Sequence, residues 1–266
     1  MSRIATAFEH SHREGRPLLV GYLTVGYPTF ASTLELVPAL LDGGFDAVEL
    51  GVPFSDPIGE GPTIQRSSQG ALEQGVTLTT CLDTARRLRD ESGVQKPLLL
   101  MGYYNPFLAY GLPRLTAAAD DVGLDGFIVP DLPPEEGAEM SRACQPHGLD
   151  IAYLAAATST PKRLGLIAAS ATGFIYCVSL LGVTGARNTL SDELPGFVGR
   201  VRSLTSLPLA VGFGISTPEH VAAVAQFADG AIIGSALIDL LDRTPVKRHA
   251  AAVRAYAADL RSAAGG

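Results

Sequence analysis

Short apolar runs alternate with helix-patterned stretches eight times along this chain, and that alternation restricts the folds open to it. The runs lie at 18–24 (LLVGYLT), 46–50 (DAVEL), 97–101 (PLLLM), 126–129 (GFIV), 150–154 (DIAYL), 173–178 (GFIYCV), 208–212 (PLAVG) and 230–233 (GAII). Such runs suit strands covered on both faces of a parallel sheet. Between them, helical periodicity predicts helices over 30–43, 62–75, 78–92, 112–122, 134–147, 161–170, 192–204 and 218–227. A last helix is expected over 245–262 and an extra one over 2–14. Strict alternation implies parallel strands joined by right-handed crossovers. Eight units in 266 residues favour an α/β chain closed into a single (β/α)8 barrel, with an extra N-terminal helix, over an open doubly wound sheet. The open sheet usually carries a glycine fingerprint after its first strand, whereas here that strand leads into Thr24-Val25-Gly26-Tyr27-Pro28. One barrel domain over 1–266 is the expectation.

A barrel places its chemistry at the carboxyl ends of the strands. The loops after the second and sixth runs, 51–61 and 179–191, are long and contain glycine, as substrate-closing loops do. The second run closes on Glu49-Leu50, its loop adds Asp56 and Glu60, and Asp131 follows the fourth run in VPDLPPEE. A carboxylate at the tip of a buried strand cannot point into an apolar core without a large penalty. Facing a cleft instead, it would be partly desolvated, and its pKa would rise toward the range useful for proton transfer. Capping or bracing the loop is the competing structural role.

The seventh and eighth runs lead into Gly212-Phe213-Gly214-Ile215-Ser216 and Gly234-Ser235-Ala236, each just ahead of a helix start. Glycine lets a ligand approach the backbone, and free amides with the helix dipole favour an anion, which makes this pairing a recurrent phosphate site in barrels. Ser216-Thr217-Pro218-Glu219 also reads as a helix cap, which is compatible with phosphate binding.

Other chemistries find little support. Net charge is -7 with no run of Lys or Arg, which argues against a nucleic-acid surface. Cys81, Cys144 and Cys177 are far apart without a CxxC pair, and the histidines form no HExxH, so a reducing cytoplasm and no metal site are expected. No stretch reaches the roughly 18 apolar residues of a membrane span, and the N-terminus lacks the apolar segment of a signal peptide.

The segments ELGVPFSDP with GPTIQ, LMGYYNP, IVPDLPPEE, SLLGVTGAR, and GFGIST with GSA resemble the tryptophan synthase alpha subunit family over nearly the full length. That resemblance implies a barrel that cleaves indole-3-glycerol phosphate to indole and glyceraldehyde 3-phosphate without a cofactor. Family members usually pair with a pyridoxal-phosphate-dependent beta subunit, as an α2β2 heterotetramer. By the same resemblance, Glu49 moves protons in a retro-aldol cleavage, and Thr184 closes the lid and orients it. Gly185, Gly214, Gly234 and Ser235 match phosphate ligands, with Gly212 and Phe213 alongside, and Tyr176 matches a tyrosine near the catalytic glutamate. Phe54, Asp56, Pro57, Asn105 and Pro106 match loops that face the beta subunit.

The chain departs from that pattern in places. Glu60 stands where the family has the aspartate that holds the indole N–H, and one extra methylene displaces a carboxylate by about an ångström, a scale that can cost ~100-fold in rate. Tyr27 stands where the family often has aspartate, and Leu180-Leu181 where many members have a polar or basic residue. These departures keep two variants open: a stand-alone lyase releasing free indole for secondary metabolism, and a weakly active barrel that mainly activates a beta-type partner. GFGIS and GSA alone would equally serve a phosphosugar isomerase or cyclase.

Overall fold

The computed structural model describes residues 2–178, 192–212 and 214–264. Among these, nine strand segments form one parallel sheet: β1 (Leu18–Thr24), β2 (Ala47–Gly51), β3 (Leu98–Met101), β4 (Gly126–Ile128), β5 (Asp150–Ala152), β6 (Leu154–Ala156), β7 (Ile175–Val178), β8 (Leu209–Gly212) and β9 (Gly230–Ile233). Their order is β5-β4-β3-β2-β1-β9-β8-β7-β6, with every neighbouring pair parallel. β5 and β6 are one rung interrupted at Tyr153, pairing with β4 below the interruption and β7 above it. The Tyr153 carbonyl accepts the Tyr176 N–H at 3.0 Å, so the sheet closes through this bent rung. The eightfold alternation therefore yields eight rungs and nine segments.

Strands form where the apolar runs are, because residues on both their faces are covered. Every residue of β1, β2, β3, β8 and β9 is buried. The helices turn apolar stripes inward; Leu36, Val37 and Leu40 on the helix Ser32–Asp42 are an example. The N-terminal helix Arg3–Arg13 starts at Ser2, whose side chain accepts the Ala5 N–H, and it packs Phe8 on Phe174 across the barrel floor with ring centroids 5.7 Å apart.

Two helices escape the periodicity reading. Tyr104–Tyr110 forms although it contains Pro106, because that proline stands near its start, where a missing N–H costs little. Its first amide, Tyr104 N–H, is bonded by Asp131 Oδ1 at 2.9 Å. Asp131, expected as a strand-end carboxylate on the active face, is thus an exposed helix cap. The other, Ser235–Arg243, opens on small residues that resemble a loop, yet Leu237, Ile238 and Leu241 form a buried stripe. Toward the middle of the chain, the stretch expected as helix over 134–147 is a shorter helix, Ala138–Cys144, followed by the 3-10 turn Gln145–His147.

At the opposite end from the expected site, aspartates just ahead of strands tie neighbouring rungs together. Asp46 accepts the Leu19 N–H at 2.9 Å, Asp125 the Leu98 N–H at 2.8 Å and Asp229 the Leu209 N–H at 2.7 Å. Each also pairs with arginine: Asp46 with Arg16, Asp125 with Arg3 and Arg89, Asp229 with Arg202. The Arg16–Asp46 pair is bidentate at 2.6 and 2.8 Å and nearly solvent-free, so loss of one partner strands a buried charge. Asp46→Ala is expected to lower unfolding free energy by about 3 kcal/mol in denaturant titration while kcat stays within twofold of wild type, because this end is remote from the catalytic loops. A loss below about 0.5 kcal/mol would show that the pair contributes little.

Candidate active site

Glu49 lies in the middle of β2, paired in register with Tyr22 of β1 and Leu99 of β3. Its side chain enters the barrel, where it is fully buried, and neither carboxyl oxygen has a hydrogen-bond partner among the described residues. A carboxylate cannot be ionised cheaply in such surroundings. Burial, and secondarily the negative charge of Glu60, pushes its pKa up to about 8. At neutral pH the group is mostly a neutral acid that can give a proton and take it back, which is the behaviour required of a proton shuttle.

Glu60 comes to the same place from the loop after β2, ahead of the helix Pro62–Glu73. Both carboxyls line one cavity of about 250 Å3 at the carboxyl ends of the strands. Burial pushes the Glu60 pKa up to about 7, so it can be ionised while Glu49 is still neutral. The loop that carries Glu60 is tethered at several points. Phe54 stacks on Tyr103 with centroids 5.0 Å apart, the Phe54 N–H donates to Ser68 Oγ at 3.1 Å, and the Gly59 N–H donates to the Tyr103 hydroxyl at 3.0 Å.

Gly214, Gly234 and Ser235 border the same cavity. Gly214 has φ +79°, a conformation that glycine adopts without strain. The helix Ser235–Arg243 starts at Gly234 with no side-chain cap, which leaves its positive end open to an anion. Thr217 does cap the helix after β8, accepting the His220 N–H at 3.3 Å.

Tyr176 of β7 also lines the cavity, and its hydroxyl leans over Gly212, where any Cβ would collide with it. Gly212 thus stands behind Tyr176. The same relation recurs between Tyr22 and Gly51. Phe54 and Pro57 are half-buried and Asp56 exposed on the loop after β2; Asn105 is exposed and Pro106 half-buried on the helix Tyr104–Tyr110. Thr184, Gly185 and Phe213, together with Leu180 and Leu181, lie outside the described residues. Tyr27 is bonded to Asp242, which also pairs with Arg66.

Several lining residues were not singled out in the sequence. Tyr22, Met101 and Ile232 come from strand positions that read as ordinary core. Thr63 and Asp239 meet across the cavity rim, the threonine hydroxyl donating to Asp239 Oδ1 at 3.1 Å. Only the inward register of alternate strand residues could have marked Tyr22, since it shares that phase with Glu49. Asp239 stands on the helix the periodicity reading missed. Among the described residues no cluster of His, Cys, Asp and Glu could hold a metal ion.

Comparison with known proteins agrees along the whole chain. A family model described as tryptophan synthase alpha chain matches residues 8–264. The tryptophan synthase alpha chain of Chloroflexus aurantiacus is 52% identical over 263 residues, covering 99% of this chain and 98% of that one. That of a Roseiflexus species is 51% identical over 261 residues, covering 98% and 100%. Among solved structures, tryptophan synthase subunit alpha from Legionella pneumophila superposes with a TM-score of 0.91 at 37% identity, covering 99% of this chain and 98% of that one. Tryptophan synthase from M. tuberculosis in an aminoacrylate-bound form gives 0.89 at 33% identity, covering 99% and 100%.

The raised pKa of Glu49 has a consequence for stability. Unfolded, the carboxyl ionises near 4.5; folded, it holds its proton to about 8, so the unfolded state gains from ionisation first. Between those limits the wild type should lose stability more steeply as pH rises than Glu49→Gln, which keeps only the contribution of Glu60. Relative to the variant, the loss is expected at about 1.4 kcal/mol per pH unit near pH 6–7, measurable by denaturant melts across that range. Parallel pH profiles for the two proteins would contradict the buried neutral acid.

Proposed function

The chain belongs to the tryptophan synthase alpha chain family, and we propose that its own two carboxyls carry out the cleavage of indole-3-glycerol phosphate to indole and glyceraldehyde 3-phosphate. The observation that carries this reading is the single cavity that holds Glu49, Glu60 and the open helix start at Gly234-Ser235. In the reaction, neutral Glu49 gives its proton to indole C3, forming a cationic indoleninium that keeps its N–H. The resulting carboxylate then takes the proton of the hydroxyl on the adjacent side-chain carbon. That oxygen becomes the aldehyde carbonyl, the carbon–carbon bond breaks, and its electron pair restores the indole ring. Glu49 ends as it began, protonated, so no other acid or base is consumed.

Glu60 acts as acceptor for the ring N–H, whose hydrogen bond strengthens as the ring gains positive character. The phosphate is held at Gly214, Gly234 and Ser235, where glycine and the helix dipole suit an anion. Thr184, Gly185, Gly212, Phe213 and Tyr176 are assigned to substrate binding on the strength of the family motifs. The rim that carries Phe54, Asp56, Pro57, Asn105 and Pro106 also exposes Ile58 and Leu108, an apolar surface suited to a partner. We assign that rim to the beta subunit of an α2β2 assembly. Residues 1–266 act as one barrel domain, in the cytoplasm, where its three cysteines would stay reduced.

Addition of indole-3-glycerol phosphate to the pure chain is expected to release indole, and Glu49→Gln should reduce kcat at least 1,000-fold with little change in KM. Undiminished turnover in that variant would remove the proton-transfer role. Because Phe54 and Gly59 hold the loop in place, a shorter arm at position 60 would retract from the ring rather than be followed by the backbone. Glu60→Asp is therefore expected to lower kcat about 10-fold to 100-fold in the same assay; a rise would mean that the glutamate is a misfit.

A further inference from the structure

Tyr22 has no part in the steps above, yet it lines the cavity with both carboxyls and is only 7% exposed. Its hydroxyl leans over Gly51 and begins a chain of oxygens that ends in the helix Pro62–Glu73. Tyr22 Oη lies 3.2 Å from Thr24 Oγ1, Thr24 Oγ1 lies 2.7 Å from Ser67 Oγ, and Ser67 Oγ donates to the Ile64 carbonyl at 2.9 Å. A hydroxyl has one proton to donate and a carbonyl has none. Ser67 spends its proton on Ile64, so Thr24 must donate to Ser67, and Tyr22 must donate to Thr24. The direction of the whole chain is fixed from its far end. With its proton spent on Thr24, the Tyr22 oxygen can only accept a hydrogen bond from a ligand. Burial, with the negative charges of Glu60 and Glu49, holds its pKa above the ordinary value, so it remains a neutral phenol.

Tyr22 shares the cavity with Glu49, its in-register neighbour on β2, and with Glu60, while its own Cβ stands beside Gly234. We propose that Tyr22 is a specificity-determining residue: its oxygen, with the proton committed to Thr24, shares with Glu60 a three-centre hydrogen bond from the N–H of the ligand's heteroaromatic ring. The site thus selects rings that carry a donor over isosteres that lack one. A ring sulfur or oxygen would set its own lone pairs against those of the phenol and leave a buried acceptor unpaired. This assignment rests on the lyase reading of the cavity and adds the ring class to it.

The test compares dissociation constants of an indolylpropyl phosphate and its benzothienyl counterpart, measured by calorimetry. Wild type should favour the indolyl ligand, and Tyr22→Phe should cut that preference roughly tenfold. Thr24→Val should cut it comparably, since the phenol proton is then free to turn into the cavity, whereas Thr24→Ser, which keeps the chain, should restore the wild-type ratio. Ser67→Ala removes the same end of the chain from outside the cavity lining, and serves if the valine variant does not fold. A mere packing role for Tyr22 would weaken both ligands alike and leave the ratio unmoved. An unchanged ratio in Tyr22→Phe overturns the proposal, as does a fall there with none in Thr24→Val or Ser67→Ala. Turnover of indole-3-glycerol phosphate by the wild type separates the two claims. No cleavage with the ratios as expected removes the lyase reading and keeps the acceptor; cleavage with unmoved ratios does the reverse.

Discussion

The burial of one carboxyl group, Glu49, without a hydrogen-bond partner among the described residues is the condition on which the site depends. At the opposite end of the barrel, Asp46 and Asp125 each bind a backbone amide and arginine. Those aspartates hold rungs together through their amide and guanidinium partners. Glu49 has no such support, so the same burial drives it to the neutral form. The barrel thus uses one residue class in opposite ways at its two ends. At the floor, carboxylates tie rungs together; toward the mouth, a carboxylic acid is left neutral, as the proposed proton transfer requires, following the division of labour usual in this architecture.

Glu60 extends that logic. A second carboxyl in the cavity raises the first one's pKa through its charge, and its own pKa is raised by burial alone. The two groups therefore differ in the form they hold near neutrality, which is how one site can contain both an acid and an anion. The tethers from Ser68 and Tyr103 to the loop matter here, because a carboxylate on a long side chain is useful only if its backbone is held. Glu60, one methylene longer than an aspartate, lines the same cavity as Glu49.

The fold was legible in the sequence wherever a segment's local pattern and its tertiary surroundings agreed. β1 and β9 match their apolar runs end to end, because a strand covered on both faces needs little else to mark it. The break at Tyr153 could not be read, since it reflects how the rung bends to reach β7. Helices Tyr104–Tyr110 and Ser235–Arg243 were obscured by a proline and by small residues at their starts, both of which read as turn. Asp131 illustrates a different gap. Its position after a strand was right for chemistry, but the neighbouring helix start claims its oxygen. Tyr22 was hidden for the reverse reason, as an aromatic in an apolar run whose polar end only the three-dimensional path reveals.

The central claim is that Glu49 stands neutral at physiological pH inside an intact barrel. Carbon-13 NMR of the protein labelled at glutamate side-chain carboxyls, with the Glu49 signal identified by its loss in Glu49→Gln, measures this directly. The account expects the signal to titrate near pH 8, with Glu49 protonated at pH 7. A signal that titrates near the ordinary 4.5 would mean that the carboxyl is solvated or paired, and the proton-shuttle role built on its burial would fall.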